Sequence, residues 1–223
     1  MLHTVLASAA IAVLGGLSAS WLTGGFEVWT AEGARRLAVI NAPVAAPPAT
    51  LLGAGLTGQS LQSLLASPGR VTLASFIYTR CPSVCVALGS SFQQLQAALA
   101  AQALDRNNGN ASVAPHPIHL LSISFDPAHD DTEQLGRYAA TWRANPRYWR
   151  IATVPDSVQL QRLLQAWQVV VISDALGGFE HNAALLVIDQ HGRLVRIFDD
   201  TDSATALAFA RALQQATPPG LPL

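Results

Sequence analysis

The stretch VTLASFIYTRCPSVC, residues 71–85, decides the fold class of this chain. Its first part, Val71–Tyr78, is apolar on both faces, which predicts a strand covered on both sides. The apolar residues that recur at helical spacing after the cysteines are Leu88, Phe92, Leu95 and Leu99. A buried strand that leads directly into a helix is typical of an α/β fold.

The same alternation continues to the end of the chain. The predicted strands are Ile118–Ser124 and the hairpin of Ala184–Ile188 and Leu194–Phe198, which turns at Gly192, and Val169–Ile172 is a further short apolar run. The predicted helices begin at Asp130, with Glu133 completing a capping box, at Asp156 and at Ser203. Because a hairpin accompanies strands joined by helices, we predict a three-layer α/β sandwich with a mixed central sheet.

A run without charged residues, residues 2–24, precedes this domain. About 20 apolar residues suffice to cross a bilayer, so residues 1–25 are either a transmembrane anchor or a cleaved signal segment. The run is long for a signal peptide, which favours the anchor. We predict a linker over 26–49, a folded domain over 50–217 and a tail over 218–223. Residues 41–57, rich in Ala, Pro and Gly, run into the domain, and 106–117 is predicted to be an exposed loop.

Composition excludes several classes of function. The 223 residues carry a net charge of −1 and no lysine, so all 13 basic residues are arginine. Lysine chemistry is therefore absent, and the lack of a basic cluster argues against nucleic-acid binding. Two cysteines are too few for a disulfide-rich scaffold or a four-cysteine zinc site.

Both cysteines lie between the first buried strand and the following helix. Cys81 and Cys85 are four residues apart, a spacing that places two side chains on one helix face. The helix N-terminus and Arg80 favour the thiolate form. Two sulfurs so placed can chelate one metal ion or form a redox pair, and the plain alternatives are a structural disulfide or two buried thiols.

One of the six histidines stands apart from the others. His3, His116, His119, His129 and His191 are predicted to have surface or capping roles. His181 lies in the glycine-rich stretch 177–182, directly before the strand Ala184–Ile188. A loop at the end of a central strand can face the cysteines.

These motifs together resemble the Sco/SenC family, thioredoxin-fold copper proteins of cytochrome c oxidase synthesis. The segments that carry the resemblance are Tyr78–Cys85 (YTRCPSVC), Ser122–Pro127 (SISFDP) with Asp130 and Thr132, and His181 before Leu186–Asp189 (LVID) and Gly192. Their order resembles the family over about residues 50–215. The resemblance implies a thioredoxin-like fold and copper ligands Cys81, Cys85 and His181. Two thiolates suit Cu(I), and an imidazole also accommodates Cu(II), whereas zinc is the alternative metal.

The sequence departs from the family at two positions near the motif. Val86 stands where the family has a proline in the first helical turn, and Asp131 interrupts the usual Asp-Thr pairing. Neither change removes a ligand. Asp126 either acts as a partner that orients the histidine or buffers charge, or only turns the chain before Pro127.

Three functions are compatible with these residues. The first is a membrane-anchored copper chaperone that delivers copper, received from another copper chaperone, to the copper-site subunit of cytochrome c oxidase. The second is a thiol–disulfide oxidoreductase that uses Cys81 and Cys85 as its redox pair on that subunit. The third is an interaction module without metal or redox chemistry. A Cys-x₃-Cys spacing argues against a general reductase.

The resemblance also implies a location at the bacterial inner membrane with the domain in the periplasm. Arg35 and Arg36 follow the apolar run, and the positive-inside rule by itself favours the opposite topology. The periplasmic prediction therefore rests on the family.

Overall fold

The computed structural model describes residues 2–23, 25, 28–81, 84–106, 116–174 and 177–216. The chain forms two compact units, residues 1–42 and 43–223. The first contains α1 (Leu2–Leu22) and α2 (Ala31–Asn41). Its segment His3–Trp21 has a mean hydropathy of 1.6 and is long and apolar enough to span a membrane. Helix α2 begins at a Thr30 cap, whose side chain accepts from the Gly33 backbone at 3.0 Å.

The second unit is built on one eight-stranded mixed sheet. Its strands are β1 (Val44–Ala45), β2 (Thr50–Gly53), β3 (Leu56–Ser60), β4 (Val71–Ile77), β5 (Ile118–Ser124), β6 (Trp149–Thr153), β9 (Ala184–Ile188) and β10 (Arg193–Asp199), and they lie in the order β1-β10-β9-β4-β5-β6-β2-β3. Strands β4, β5 and β6 are parallel, and the other neighbours are antiparallel. A separate two-stranded hairpin consists of β7 (Val171–Ser173) and β8 (Phe179–His181).

Helices cover both faces of this sheet. The helices of this unit are α3 (Leu61–Leu65), α4 (Val84–Arg106), α5 (Thr132–Thr141), α6 (Ser157–Ala166) and α7 (Ser203–Ala216). Phe92 of α4 packs on Trp149 with ring centroids 5.4 Å apart, and Trp167 at the end of α6 meets Phe76 at 6.0 Å. The register of β4, β5 and β6 places Phe76 and Trp149 on opposite faces. The predicted three-layer sandwich is therefore confirmed.

The strands nearest the centre match the prediction closely, because continuous apolar runs leave few alternatives. Strands β4 and β9 are buried throughout, and the four apolar residues predicted for the face of α4 are all buried. Helix α4 is also long and apolar enough to span a membrane, but a third of the tested segment, Val84–Leu104, is buried inside the protein. At the hairpin turn, Gly192 has φ 74°, as predicted.

The structure corrects the prediction at three places. The predicted linker over 26–49 contains α2, which begins at the Thr30 cap, and β1, and residues 41–57 also include β2. Strands β1 and β2 form because they gain hydrogen bonds from the distant strands β10 and β6. The stretch 177–182 contains strand β8 and is not wholly a loop. The predicted loop 106–117 falls largely on residues 107–115, and the tail 218–223 falls entirely, outside the described residues.

The third correction concerns the start of α5. The capping residue is Asp131, whose carboxylate accepts from the Gln134 backbone N–H at 2.8 Å, and not Asp130. Because Asp131 caps the helix, the side chain of Asp130 is available for a buried position beside the cysteines. Asp156 caps α6 as predicted, accepting from the Val158 and Gln159 backbone N–H groups.

Candidate metal centre

Cys81 and Cys85 lie at the corner where the chain leaves β4 and enters α4. Both side chains are buried, with exposed fractions of 7% and 1%, and both are present as thiols. The Cys81 backbone N–H donates to the Tyr78 carbonyl at 3.3 Å, and the Cys85 backbone N–H donates to the Cys81 sulfur at 3.3 Å. An N–H in the first turn of α4 thus points at the first sulfur, as predicted for a cysteine before a helix. Pro82 and Ser83 lie outside the described residues.

A fully buried carboxylate, Asp130, braces this corner. It accepts from the Thr79 backbone N–H at 2.9 Å, from the Thr79 hydroxyl at 2.5 Å and from the Ser124 hydroxyl at 2.5 Å. These bonds join the ends of β4 and β5 two residues before Cys81. Buried charges persist in proteins when hydrogen bonds satisfy them, and three donors do so here.

The second thiol lies in an environment that favours its protonated form. Burial raises the pKa of Cys85, and the neighbouring Cys81 raises it further. The Tyr138 hydroxyl donates to the Cys85 carbonyl at 3.3 Å, which ties α5 to α4 beside the sulfur. The Arg80 guanidinium pairs with Asp126 at 3.0 Å. Arg80, predicted to favour the thiolate, has its charge opposed by this carboxylate.

His181 approaches the cysteines from the β7–β8 hairpin. Its Nε2 atom lies 4.0 Å from the Cys85 sulfur. The imidazole packs against the Phe125 ring at a centroid distance of 5.1 Å, and its Nδ1 atom is buried with no hydrogen-bond partner among the described residues. Burial lowers the pKa of His181, so that the ring is neutral at neutral pH. A neutral imidazole is the form that binds a metal.

Aromatic packing sets the position of this histidine. The rings of Tyr78, Phe125 and Phe179 meet pairwise at 5.2 to 5.5 Å. The Phe179 backbone N–H donates to the Tyr78 hydroxyl at 3.2 Å, and that hydroxyl donates to the Phe179 carbonyl at 3.4 Å. Tyr78, the residue just before Thr79, therefore also holds β8, the strand that carries His181.

The donor set suits a soft metal ion. When one metal ion binds a sulfur at about 2.3 Å and a nitrogen at about 2.0 Å, the two ligand atoms lie roughly 3.5 to 4.2 Å apart. This range covers sulfur–metal–nitrogen angles from the tetrahedral value upward. The 4.0 Å between Cys85 and His181 falls in this interval. Within the described parts of the chain, however, no three His, Cys, Asp or Glu side chains are already gathered as a metal cluster. Three-ligand binding therefore requires side-chain movement.

Asp126 contacts residues other than the predicted histidine. In the described structure its carboxylate pairs with Arg80 and with His129, whose Nδ1 lies 2.9 Å away. The role of orienting His181 is therefore not seen. The sequence predicted a surface or capping role for His129 and did not reveal its pairing with Asp126. The Asp-x-x-His spacing in a turn is the local signal that could have indicated this pair. His116 is buried and not at the surface, but its Nδ1 accepts from the Ile118 backbone N–H at 3.1 Å, a contact that fits the capping role also predicted for it.

Known proteins resemble this chain in sequence and in fold. The family model described as SCO1/SenC matches residues 59–215. A SCO1 protein homolog of Bacillus subtilis (strain 168) is 23% identical over 146 residues, which are 65% of this chain and 68% of the homolog.

Two solved structures extend the comparison. BsSco, a member of the Sco family of cytochrome c oxidase assembly proteins, superposes with a TM-score of 0.61 at 19% identity, covering 78% of this chain and 95% of BsSco. Arabidopsis thaliana ScoI with copper bound has a TM-score of 0.58 at 17% identity, covering 76% of this chain and 98% of ScoI. At such identities the likeness shows the thioredoxin-like fold alone.

Proposed function

The chain belongs to the SCO1/SenC family, and from this premise we propose that it is a copper chaperone which binds copper through Cys81, Cys85 and His181. Copper is the cargo of such a protein and must be released again. Three ligands with an open position suit release better than a closed four-ligand site. Relatives in the family have been solved with copper bound and act in cytochrome c oxidase assembly.

The observation that supports the proposal is the approach of His181 to the second of the two cysteines at one end of the sheet. The Cys85 sulfur and His181 Nε2 lie 4.0 Å apart although 96 residues separate them in the chain. Thiolates favour Cu(I), whereas imidazole also accommodates Cu(II). Zinc accepts the same donors, and copper is preferred here because of the family.

We place the protein at the bacterial inner membrane, anchored by α1, with the copper domain in the periplasm. The length and hydropathy of His3–Trp21 support an anchor. The proposed partners are the copper-site subunit of cytochrome c oxidase and a second copper chaperone as donor.

A metal-binding experiment tests the ligand set. The full chain, reduced in detergent and loaded with one equivalent of Cu(II), is expected to develop a sulfur-to-copper charge-transfer absorption band. His191→Ala, a change in an exposed hairpin turn, serves as the matched control for His181→Ala. Absence of the band in the wild-type protein contradicts the proposal.

Thiol–disulfide exchange with the oxidase subunit is the second candidate. The contact of the Cys85 backbone N–H with the Cys81 sulfur supports it, because that bond stabilises a thiolate on the first cysteine. The two functions separate in cells that depend on this chain for oxidase assembly. Loss of assembly in His181→Ala with an unchanged Cys81–Cys85 redox potential favours copper delivery, whereas an unaffected phenotype favours exchange. Full activity of a Cys81→Ser, Cys85→Ser protein would instead favour an interaction module.

A further inference from the structure

Tyr78 contacts the segments that carry both kinds of proposed copper ligand. It follows β4 directly, and its side chain is buried. Its backbone carbonyl accepts from the Cys81 N–H at 3.3 Å. Its hydroxyl accepts from the Phe179 backbone N–H at 3.2 Å and donates to the Phe179 carbonyl at 3.4 Å. The backbone of this residue is therefore bonded to the cysteine corner, and its side chain to β8, the strand that carries His181.

The backbone groups of Phe179 face away from β7, the other strand of the hairpin. At the turn, the Asp174 N–H donates to the Gly178 carbonyl at 3.1 Å, so these two residues form a hydrogen-bonded pair. Hydrogen-bonded and non-hydrogen-bonded pairs alternate along antiparallel strands, so the next pair, Ser173 and Phe179, is not hydrogen-bonded. The Tyr78 hydroxyl therefore meets a backbone N–H and carbonyl that β7 does not pair.

The bonded residue, Phe179, shares one face of the hairpin with His181. The two residues lie two positions apart in β8, a spacing that points side chains to the same side of a strand. Both rings pack on Phe125, with centroid distances of 5.5 Å for Phe179 and 5.1 Å for His181. Ring packing therefore orients the imidazole, while the Tyr78 hydroxyl holds the backbone of the same strand close to the corner.

We propose that Tyr78 is a positioning residue that holds His181 within reach of a copper ion at the cysteines. This inference rests on the proposed copper function and names the residue that joins its two regions. The hydroxyl acts through the backbone of Phe179 and is not itself a metal ligand. Without it, β8 keeps its ring contacts and loses the two bonds that hold its backbone to the corner. The binding of Cu(II), which an imidazole supports, should therefore weaken more than that of Cu(I).

The Tyr78 hydroxyl also has a neighbour at the corner itself. The Cys81 side chain lies close enough to interact with it. Loss of that contact would weaken the binding of Cu(I) and Cu(II) alike, because both ions use the sulfur. Loss of the bonds to Phe179 would weaken Cu(II) binding selectively. The ratio of the two affinities therefore distinguishes the positioning of His181 from a general effect on the corner.

Tyr78→Phe tests this role, because it removes the hydroxyl and keeps the ring. In the full-length chain in uncharged detergent, Cu(II) affinity should fall about three- to tenfold, as for a lost hydrogen bond, and Cu(I) affinity should stay within about twofold. Chelator competition measures both affinities. Tyr148→Phe is the matched control, a buried tyrosine whose ring packs on His116, and it should change neither. In a His181→Ala background, Tyr78→Phe should have no further effect on Cu(II) affinity, because it acts through the imidazole.

Hydrogen exchange in the metal-free chain separates this inference from the copper function itself. The Asn182 N–H, next to His181, donates to the Val170 carbonyl at 3.3 Å, so its exchange rate reports on the hairpin. Tyr78→Phe should speed this exchange at least about threefold, and Tyr148→Phe should leave it unchanged.

The outcomes separate as follows for the two proposals. A wild-type chain without a sulfur-to-copper band overturns the copper function, and exchange at Asn182 then still decides whether Tyr78 holds the hairpin. Unchanged exchange in Tyr78→Phe overturns the positioning role. Equal losses of Cu(I) and Cu(II) affinity, or an effect of Tyr78→Phe that persists in full without His181, overturn it as well.

Discussion

The β4–α4 corner and the β7–β8 hairpin carry different kinds of proposed copper ligand and are held in different ways. The corner is the end of a fully buried strand, and three hydrogen bonds to Asp130 brace it two residues before Cys81. The hairpin has strands of three residues, lies outside the eight-stranded sheet and exposes Ile172 by 60%. Its histidine is positioned by ring packing, which is less directional than hydrogen bonds to a buried charge.

This difference indicates that the two thiols and the imidazole contribute differently to the proposed copper binding. The sulfurs belong to the folded core, so we expect them to stay in place when copper binds. The imidazole stands on a small element that can shift without disturbing the sheet. We therefore expect the thiols to determine whether copper binds and the histidine to determine which oxidation state is held well.

Removal of a sulfur is expected to have the largest effect. Cys85→Ser deletes a ligand at the braced corner, and Cu(I) affinity should fall more than about a hundredfold, beyond the 10- to 100-fold loss typical of groups that only support a ligand. Competition with a Cu(I) chelator measures this affinity. Val86→Ala, at an exposed neighbouring position, is the control. A Cys85→Ser protein that binds Cu(I) normally would show that the corner is not the main site.

Removal of the imidazole tests the hairpin. His181→Ala should weaken Cu(II) binding by at least about a hundredfold, as expected for loss of a ligand, and Cu(I) binding much less, because thiolates hold the softer ion without it. Titration of each oxidation state against chelators gives both affinities, with His191→Ala as control. Equal losses for the two ions would mean that the regions act as one rigid site.

The pH dependence of binding should come from the corner and not from the hairpin. The pKa of Cys85 is raised, so this thiol is protonated at neutral pH and releases a proton when it becomes a metal ligand. Copper affinity should therefore rise about tenfold for each pH unit from pH 7 to pH 8. The pKa of His181 is lowered, so its ring is already neutral there and His181→Ala should keep the same slope. A slope that disappears in His181→Ala contradicts this assignment.

The adjacent residues Asp130 and Asp131 allow a more selective test of the hydrogen bonds that brace the corner, with a smaller expected effect. Asp130→Asn replaces an acceptor of three hydrogen bonds and should lower copper affinity by up to about tenfold through displacement of Thr79 and Cys81. Asp131→Ala removes only the cap of α5 and should cost about 1 kcal/mol in the free energy of unfolding with copper affinity unchanged. Calorimetric melting and chelator competition measure both properties. Equal copper affinities in the two variants would show that the hydrogen bonds of Asp130 do not hold the copper site in place.

The sequence predicted the corner better than the hairpin for physical reasons. Strands β4 and β5 are continuous apolar runs, whose burial is encoded locally, and the two cysteines follow one of them directly. The position of His181 next to Cys85 depends on the packing of Phe125, Phe179 and Tyr78, which no local pattern records. The ligand set itself came from the family resemblance, and it stays a prediction.

The surroundings of the site were the least predictable part. Asp130 and Asp131 are both good helix caps, and only the buried hydroxyls of Thr79 and Ser124 decide which one caps α5. The pairing of Asp126 with Arg80 joins residues 46 positions apart. Strand β1 forms because it gains a partner in β10, a contact that its two residues do not signal.

X-ray absorption at the copper edge tests the three-ligand site most directly. The full-length chain, loaded with one equivalent of Cu(II), is compared with His181→Ala prepared in the same way. We predict two sulfur ligands and at least one imidazole in the first protein, and two sulfur ligands without that imidazole in the second. A spectrum without sulfur, or one that His181→Ala leaves unchanged, would contradict the assignment of Cys81, Cys85 and His181 as the copper site.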